Sequence, residues 1–495
     1  MRTRPNTLIL AIVSSVFFLS FGCTSPSREG LPPGSPFGDE AVAGEVLFPY
    51  GVAVGDVSSR SAVLWLRTDW PKAVQVEWAP ADIWDKAASV ASVQAPVSRS
   101  KVSVTGRATD FTLSVPLQGL QPDTRYRYHI TVKDPNPSKK DGLGIVAARG
   151  EFTTWPDSVQ SASLTFAWSG DLGGQGRCRQ GEAGYPIFDV IRSARPEFFL
   201  FLGDTIYADN LCPSPPNDPG ADFIATTLEQ YRVRHRYQRG ALALRRLLET
   251  VPVYVMWDDH EVRNNFSGAS EPLMPAGRQA FREYWPMATV PEDANRFYRS
   301  IRYGKVLEVF LLDVRQYRSL NSEPDGPAKT MLGFRQLTWL LEGLKASDAT
   351  WKVIVSGVPL SVPKGGGTAI PGYDGWAGGP DGTGFERERQ VIVGTILDDH
   401  MKNVVFLTGD VHWVQANEYD PDEDGVSDFY EFVAGPLSAN PGRLTAPGPA
   451  LHPKNLINES GYDNFGLARV TPDVFEVRML DAQGRERFAH TVKAR

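Results

Sequence analysis

Asp171, Asp204, Asp259, Asp410 and His412 are the residues whose type and placing point most directly to chemistry, because each lies just beyond an apolar run that reads as a strand. Carboxylates converging on one edge repel one another unless cations hold them. Hard oxygen ligands with one imidazole suit divalent or trivalent metals. Two metals sharing a carboxylate can bind a phosphoryl oxygen, acidify a bridging water and stabilise charge on both the attacking and the leaving oxygen. Hydrolysis of a phosphate ester is the chemistry that needs all three. Taken singly, a Gly-Asp dipeptide is usually a turn, and a lone strand-end aspartate caps a helix more often than it binds metal. The convergence carries the reading.

The elements that must position these groups are buried strands emptying into polar loops. The run V-P-V-Y-V-M-W-D-D-H-E-V-R-N-N-F at 251–266 does this most abruptly. The run at 197–202 ends in Gly203-Asp204-Thr205-Ile206-Tyr207, and the run at 403–408 in Gly409-Asp410-Val411-His412. In open α/β sheets that carboxyl edge is where ligands bind. Further strands are expected at 164–168, 306–312 and 351–356, with helices at 185–195, 228–236, 241–250, 333–346 and 386–401. Such alternation predicts a layered sheet with helices outside. Upstream, 46–155 shows only short strands, at 61–67, 74–78, 111–115 and 126–132, which argue a β-sandwich. Strands return between 465 and 492, with a turn near 482–484.

A chain of 495 residues with 42% apolar content has room for two or three domains and a large core. Its net charge of −7, without a dense Lys/Arg block, excludes a nucleic-acid-coating surface. Attraction for an anionic substrate therefore has to be local.

Arg2 and Arg4 precede an apolar stretch at 8–21, the pattern of a signal peptide over 1–22, so the chain is expected to be exported. Residues 23–45, rich in Pro, Gly and Ser, read as a flexible tether. Cys23 directly follows Ser20-Phe21-Gly22. The segment resembles a bacterial lipoprotein signal, with Leu19 one place early and a bulky Phe21. Lipidation, which would attach the chain to a membrane, and simple cleavage both stay open. Cys178 and Cys212 lie on neighbouring loops and in an exported protein read as a disulfide ahead of a metal pair.

Several motifs occur in one order: P-Y-G-V-A-V-G-D at 49–56, V-L-W-L-R at 63–67, G-D-T-I-Y-A-D at 203–209, W-D-D-H-E-V-R-N-N at 257–265, L-D-V-R-Q-Y-R at 312–318, T-M-L-G at 330–333, E-R-E-R at 386–389, L-T-G-D-V-H at 407–412 and E-F-V-A-G-P-L at 431–437. Together they resemble the alkaline phosphatase D (PhoD-like) branch of the calcineurin-like metallophosphatases. The resemblance implies a mixed α+β and α/β fold. An N-terminal fibronectin-type-III-like β-sandwich (46–155) would precede a four-layer metallophosphatase domain (160–495), helices flanking two packed sheets. The corner L-Q-P-D-T-R-Y at 120–126 is itself similar to that of fibronectin-type-III-like domains.

The resemblance also implies roles. Asp171, Asp204, His412 and the Tyr207 phenolate would bind a first metal, and Asp204 would bridge to a second held by Asp259 and Asp410. His260 would be the general acid protonating the leaving alkoxide, with a water or hydroxide between the metals as nucleophile. Two departures bear on the metal: Asp171 stands where some members have a cysteine, and Gly173 where the general pattern has a histidine. Iron plus calcium is the expected pair, with manganese or zinc as alternatives. Arg263 and Asn264 are candidates for hydrogen bonding to phosphate oxygens. Asp258 and Glu261 read as supporting or capping groups.

Asp420, Asp422, Asp424, Asp428 and Glu431 occupy positions 1, 3, 5, 9 and 12 of a calcium-loop pattern with Gly425 at 6, without the flanking helices of a true EF-hand. The expected function is an exported phosphoesterase of alkaline phosphatase type, acting on small phosphate esters in the periplasm or at the cell surface. Its rivals are a phosphodiesterase resembling a phospholipase D or an envelope-polymer hydrolase, and a non-catalytic surface-binding protein with a structural metal site.

Overall fold

The computed structural model describes residues 47–89, 97–133, 145–365 and 371–495. The expected signal peptide, tether and Cys23 lie outside them. Two sheets face each other. The nine-stranded sheet runs, in spatial order, Glu486–Lys493, Val474–Asp481, Asn464–Val470, Leu164–Ser169, Phe198–Phe201, Val253–Val255, Val52–Gly55, Ser61–Arg67, Thr112–Gln118. The seven-stranded sheet runs Arg299–Tyr303, Leu307–Leu311, Trp351–Ser356, Val404–Thr408, Phe429–Val433, Val414–Tyr419, Pro453–Glu459. At the centre of each, consecutive strands are parallel.

Central parallel strands are covered on both faces, so they appear as unbroken apolar runs such as Phe198-Phe199-Leu200-Phe201. Their period of two divides the side chains. Phe166, Trp168, Phe198, Leu200, Tyr254 and Met256 meet Val309, Val353, Val355, Val405 and Leu407 of the opposite sheet. Phe199, Phe201, Val253 and Val255 point outward, against Phe188 and Ile191 of the helix Ile187–Ser193, Leu244 and Leu247 of Leu242–Thr250, and Phe281 of Met274–Tyr284. Beyond the seven-stranded sheet, Gly333–Ala346 and Glu386–Asp398 bury Leu340, Leu344, Ile392 and Ile396 against Phe310, Ile354 and Phe406. Helix, sheet, sheet and helix make four layers. No helix among the described residues is long and apolar enough to cross a membrane.

The stretch expected to be a sandwich divides between two sheets. Ala73–Pro80, Arg125–Lys133 and Ile145–Thr153, with the short Ser98–Arg99 and Ser103–Val104, form a separate sheet. Val52–Gly55, Ser61–Arg67 and Thr112–Gln118 instead extend the nine-stranded sheet, through parallel pairing of Gly55 with Val253. At the 120–126 corner the Gln121 N–H donates to the Tyr126 hydroxyl at 2.8 Å.

The helix Met274–Tyr284 is absent from the sequence-based expectation, because Pro275 and Gly277 interrupt its pattern. Gly277 has a packing reason. A Cβ there would stand 2.7 Å from the Glu261 carbonyl oxygen and 2.9 Å from Val262 Cγ2, so the helix lies directly against the loop that follows Val253–Val255. The helix Leu228–Arg239 opens with a capping box between Thr227 and Gln230.

Candidate metal centre

The parallel strands of both sheets deliver their carboxyl ends to one edge. There the backbone turns sharply, with Asp171, Asp204, Asp410 and His412 at φ of 64°, 50°, 71° and 63°. Left-handed conformations at non-glycine residues cost of order 1–3 kcal/mol each and persist where surrounding structure over-determines them. Here the turns are tied to one another: the Leu172 N–H donates to the Asp204 carbonyl at 2.8 Å, and the Ala439 N–H to the Asp171 carbonyl at 3.1 Å. Glu261, fully buried, closes the bracket. One of its oxygens accepts the Thr205 N–H at 2.6 Å and the Thr205 hydroxyl at 2.7 Å, and the other the N–H groups of Asp204 at 3.1 Å and Asp258 at 2.8 Å.

Within that bracket two carboxylates are held by one oxygen and a third lies beside an imidazole. Asp259 Oδ2 accepts the Asn265 N–H at 2.7 Å, Asp410 Oδ1 is held by the Lys364 ammonium, and Asp171 Oδ1 lies 3.5 Å from His412 Nε2. The second oxygen of each is buried with no hydrogen-bond partner. Asp204 Oδ1 receives the His260 N–H at 3.1 Å. Ligating atoms of Asp171, Asp204 and His412 fall within 4.8 Å of one another, as do those of Asp204, Asp259 and His260, and those of Asp258, Asp259 and Asp410. Burial, followed by neighbouring carboxylates, pushes Asp171 and Asp204 well above the usual carboxylate range. Cations among the orphaned oxygens reverse that cost, and this donor set fits metal ions.

The imidazole nitrogens are assigned by their partners. His412 Nδ1 donates to the Asn440 carbonyl at 2.6 Å, which leaves Nε2 as an acceptor 2.8 Å from the Tyr207 hydroxyl. Burial holds His412 down to about 4, the neutral form a ligand requires. Two glycines make the space: a Cβ at Gly174 would stand 2.1 Å from the Tyr207 ring, and one at Gly435 2.3 Å from the orphaned Asp171 Oδ2.

His260 is set differently. Its ring stacks on Tyr207 at 4.1 Å, its Nδ1 donates to Asp209 at 2.6 Å, and its Nε2 faces Asp259 Oδ1 at 3.9 Å. Burial alone depresses this group, but Asp259 and Asp209 push it up to about 9. Asp209 is itself fixed by the Asn264 N–H at 2.8 Å.

The edge of the cluster is cationic. Arg315, with a side chain 0% exposed, donates to Asp258 through Nε and to Asp374 at 2.8 and 2.9 Å, while its Nη2 stands 3.7 Å from Asp259 and 3.6 Å from Asp410. Arg318 reaches the same Asp374 at 2.8 Å. Arg315, Arg318 and Asp374 had no assigned role from sequence, although both arginines stand in the L-D-V-R-Q-Y-R motif. Asp209 stands in the G-D-T-I-Y-A-D motif, where a loop carboxylate looks the same whether it binds a cation or a histidine. Lys364 sits in a Gly- and Pro-rich loop that gives no signal.

Other expectations fare differently. The Arg263 guanidinium pairs with buried Glu271 at 2.7 Å and stays exposed. Asn264 contributes the backbone N–H already described. Glu431 does not close a calcium loop. It lies fully buried in Phe429–Val433, accepting from the Tyr419 hydroxyl at 2.6 Å, the Leu360 N–H at 2.7 Å and the Thr408 hydroxyl at 3.1 Å. Asp420, Asp422 and Asp428 stay grouped at the surface, whereas Asp424 Oδ1 caps the Val426 N–H at 2.7 Å. Cys178 and Cys212 are joined by a disulfide.

Known proteins resemble this chain in sequence and in fold. The family model for the PhoD-like phosphatase matches residues 166–470, and that for the PhoD-like phosphatase N-terminal domain matches residues 35–156. Alkaline phosphatase D of Bacillus subtilis (strain 168) is 28% identical over 408 residues, 74% of this chain and 64% of the relative, so the match spans less than two thirds of that protein. A solved structure of PhoD superposes with a TM-score of 0.67 at 24% identity, covering 91% of this chain and 89% of the other. The purple acid phosphatase PPD1 from yellow lupin (Lupinus luteus) seeds gives a TM-score of 0.60 at 13% identity, over 90% and 74%. Both structures share the fold.

Proposed function

The chain belongs to the PhoD-like phosphatase family, and from that premise we propose that it is an exported, binuclear metal-dependent phosphoesterase that releases phosphate from small esters. The carrying observation is the set of three buried carboxylate oxygens, on Asp171, Asp259 and Asp410, that have no protein partner, while the Asn265 N–H and the Lys364 ammonium hold the other oxygens of Asp259 and Asp410. Asp171, Asp204, Tyr207 and His412 would hold one cation, and Asp204, Asp259 and Asp410 a second, with iron plus calcium as the favoured pair. When bound, such cations supply Lewis acidity toward the phosphoryl group and toward water.

The rest falls to side chains. Asp209 keeps the His260 Nδ1–H engaged and the stacked Tyr207 ring fixes the imidazole plane, so Nε2 carries the proton toward the cluster. That proton, favoured by the Asp209 carboxylate on the other ring nitrogen, would pass to the leaving oxygen of the ester. Arg315 fixes Asp258 and Asp374 and adds charge beside Asp259 and Asp410. The Gln121–Tyr126 bond supports reading the N-terminal layers as a fibronectin-type-III-like module over 46–155, ahead of a catalytic part over 160–495. The disulfide supports export into an oxidising compartment.

The test is hydrolysis of an aryl phosphomonoester and of the matching diester by the purified mature protein, before and after chelation, with defined metals added back. Chelator-sensitive monoester turnover above diester turnover supports the reading, and the restoring ions identify the pair. A dominant diester rate makes it a phosphodiesterase. Turnover of neither ester in any metal leaves the surface-binding role.

A further inference from the structure

An ester of phosphoric acid brings negative charge into a ring of carboxylates, so its capture calls for a cation that a ligand can reach. Arg315 and Arg318 cannot be that cation: both side chains are 0% exposed and are committed to Asp258 and Asp374. Arg263 is exposed but paired with Glu271 at 2.7 Å. Lys364 is ion-paired as well, but with an acid of the cluster itself. Its side chain is 27% exposed, its ammonium meets Asp410 Oδ1 and stands 4.0 Å from Asp374 Oδ2, and Asp410 Oδ2 is buried without a hydrogen-bond partner. The chain at its base is pinned, since the Lys364 carbonyl accepts the Asp374 N–H at 2.7 Å and Gly365 bridges to Tyr373. A four-carbon stem on a fixed base can swing its charge through a few ångströms without moving the loop.

We propose, resting on the phosphoesterase reading above, that Lys364 is the phosphate-recognising cation of the site. It donates from Nζ to a non-bridging oxygen of the ester and so favours the dianionic group of a monoester over the monoanionic group of a diester. Asp410 parks the ammonium between ligands. The lysine approaches from the seven-stranded sheet, by the loop after Trp351–Ser356, whereas His260 approaches from the nine-stranded sheet, by the loop after Val253–Val255. Phosphoryl oxygens and leaving group thus meet side chains from opposite layers.

The test compares wild type with Lys364→Met and Lys364→Arg in the full metal-loaded enzyme. The readouts are metal content per chain, the dissociation constant of inorganic phosphate by titration calorimetry, and the monoester-to-diester ratio of kcat/KM. Losing a hydrogen bond to a charged group is expected to raise the phosphate dissociation constant of Lys364→Met roughly 10- to 100-fold. Its metal content stays at the wild-type value, its ester ratio falls, and Lys364→Arg recovers most of both properties. Unchanged phosphate affinity and ester ratio in Lys364→Met, beside an active wild type, overturns the role of Lys364 alone. Loss of metal from Lys364→Met also overturns it, by making the lysine a support for Asp410. A wild type that cleaves neither ester overturns the phosphoesterase reading, and this role with it.

Discussion

Replacing Glu261 by Gln changes one atom and should disconnect the site. Glu261 accepts four hydrogen bonds, two on each oxygen, from Thr205 N–H and hydroxyl and from the N–H groups of Asp204 and Asp258. A glutamine keeps one acceptor oxygen, best turned to the Asp204 and Asp258 N–H groups, and points its NH2 at Thr205, whose hydroxyl can turn to accept but whose N–H cannot. One buried donor then faces a donor, at a cost of about 1–3 kcal/mol. Burial pushes the Glu261 carboxyl up to about 7, so the comparison belongs near pH 9, where the carboxylate is ionised. The loss falls where the ends of Phe198–Phe201 and Val253–Val255 are tied together, and Asp204, which precedes Thr205, loses part of its fixed orientation. Urea unfolding in chelator reads the stability term alone; calorimetric titration with metal should show affinity weakened about 10- to 100-fold. Thr205→Val, which deletes one donor without opposing another, should cost only about 1 kcal/mol. Should Glu261→Gln unfold within 1 kcal/mol of wild type and bind metal equally well, the bracket assigned to Glu261 is wrong.

Asp209→Asn should leave metal content intact and lower kcat by about 10²-fold or more, because His260 loses the charge that keeps its proton and fixes its tautomer; steady-state kinetics across pH would show the alkaline limb moving to lower pH. Gly435→Ala places a methyl 2.3 Å from Asp171 Oδ2 at a φ of 135°, so bound metal should fall below the wild-type stoichiometry by elemental analysis while the fold, read by circular dichroism, persists. His235, stacked on Tyr284 at 5.1 Å, is held down to about 3 by burial and then by Arg239, so it stays neutral in the fold and takes up its proton only on unfolding. Stability is therefore lost as pH falls below the unfolded value near 6.5, by about 2 kcal/mol on reaching pH 5. His235→Phe keeps the stack and should flatten that part of the pH dependence in matched urea titrations; an identical slope in both proteins would exclude His235 as its source.

Much of the site is legible in sequence because buried parallel strands write themselves as apolar runs and stop at Gly-Asp, as at Leu202-Gly203-Asp204 and Thr408-Gly409-Asp410. Helices with clean periodicity, such as Gly333–Ala346, are legible for the same reason. What stays hidden depends on contacts between distant segments. Gly277 reads as a helix breaker until its helix is seen against the Glu261 backbone. Arg263 reads as a candidate for phosphate oxygens, and its pairing with Glu271 is not written in the local sequence. Glu431 fits the calcium-loop spacing, yet parity along Phe429–Val433 puts it on the buried face of Phe429 and Val433. Nothing local announces that Gly55 pairs with Val253.

That pairing, together with the registry of Phe166 against Ala468, governs when the molecule can come into being. Val52–Gly55 waits for residue 253 before it has its parallel neighbour, and the strand leading to Asp171 lacks one flank until residues beyond 464 have been made. Contacts this distant in sequence pay their closure entropy before any packing rewards it, and they make assembly slow. A nascent chain of this protein therefore spends its synthesis with open sheet edges and comes together only near its end. Until then it depends on whatever shields such edges from one another.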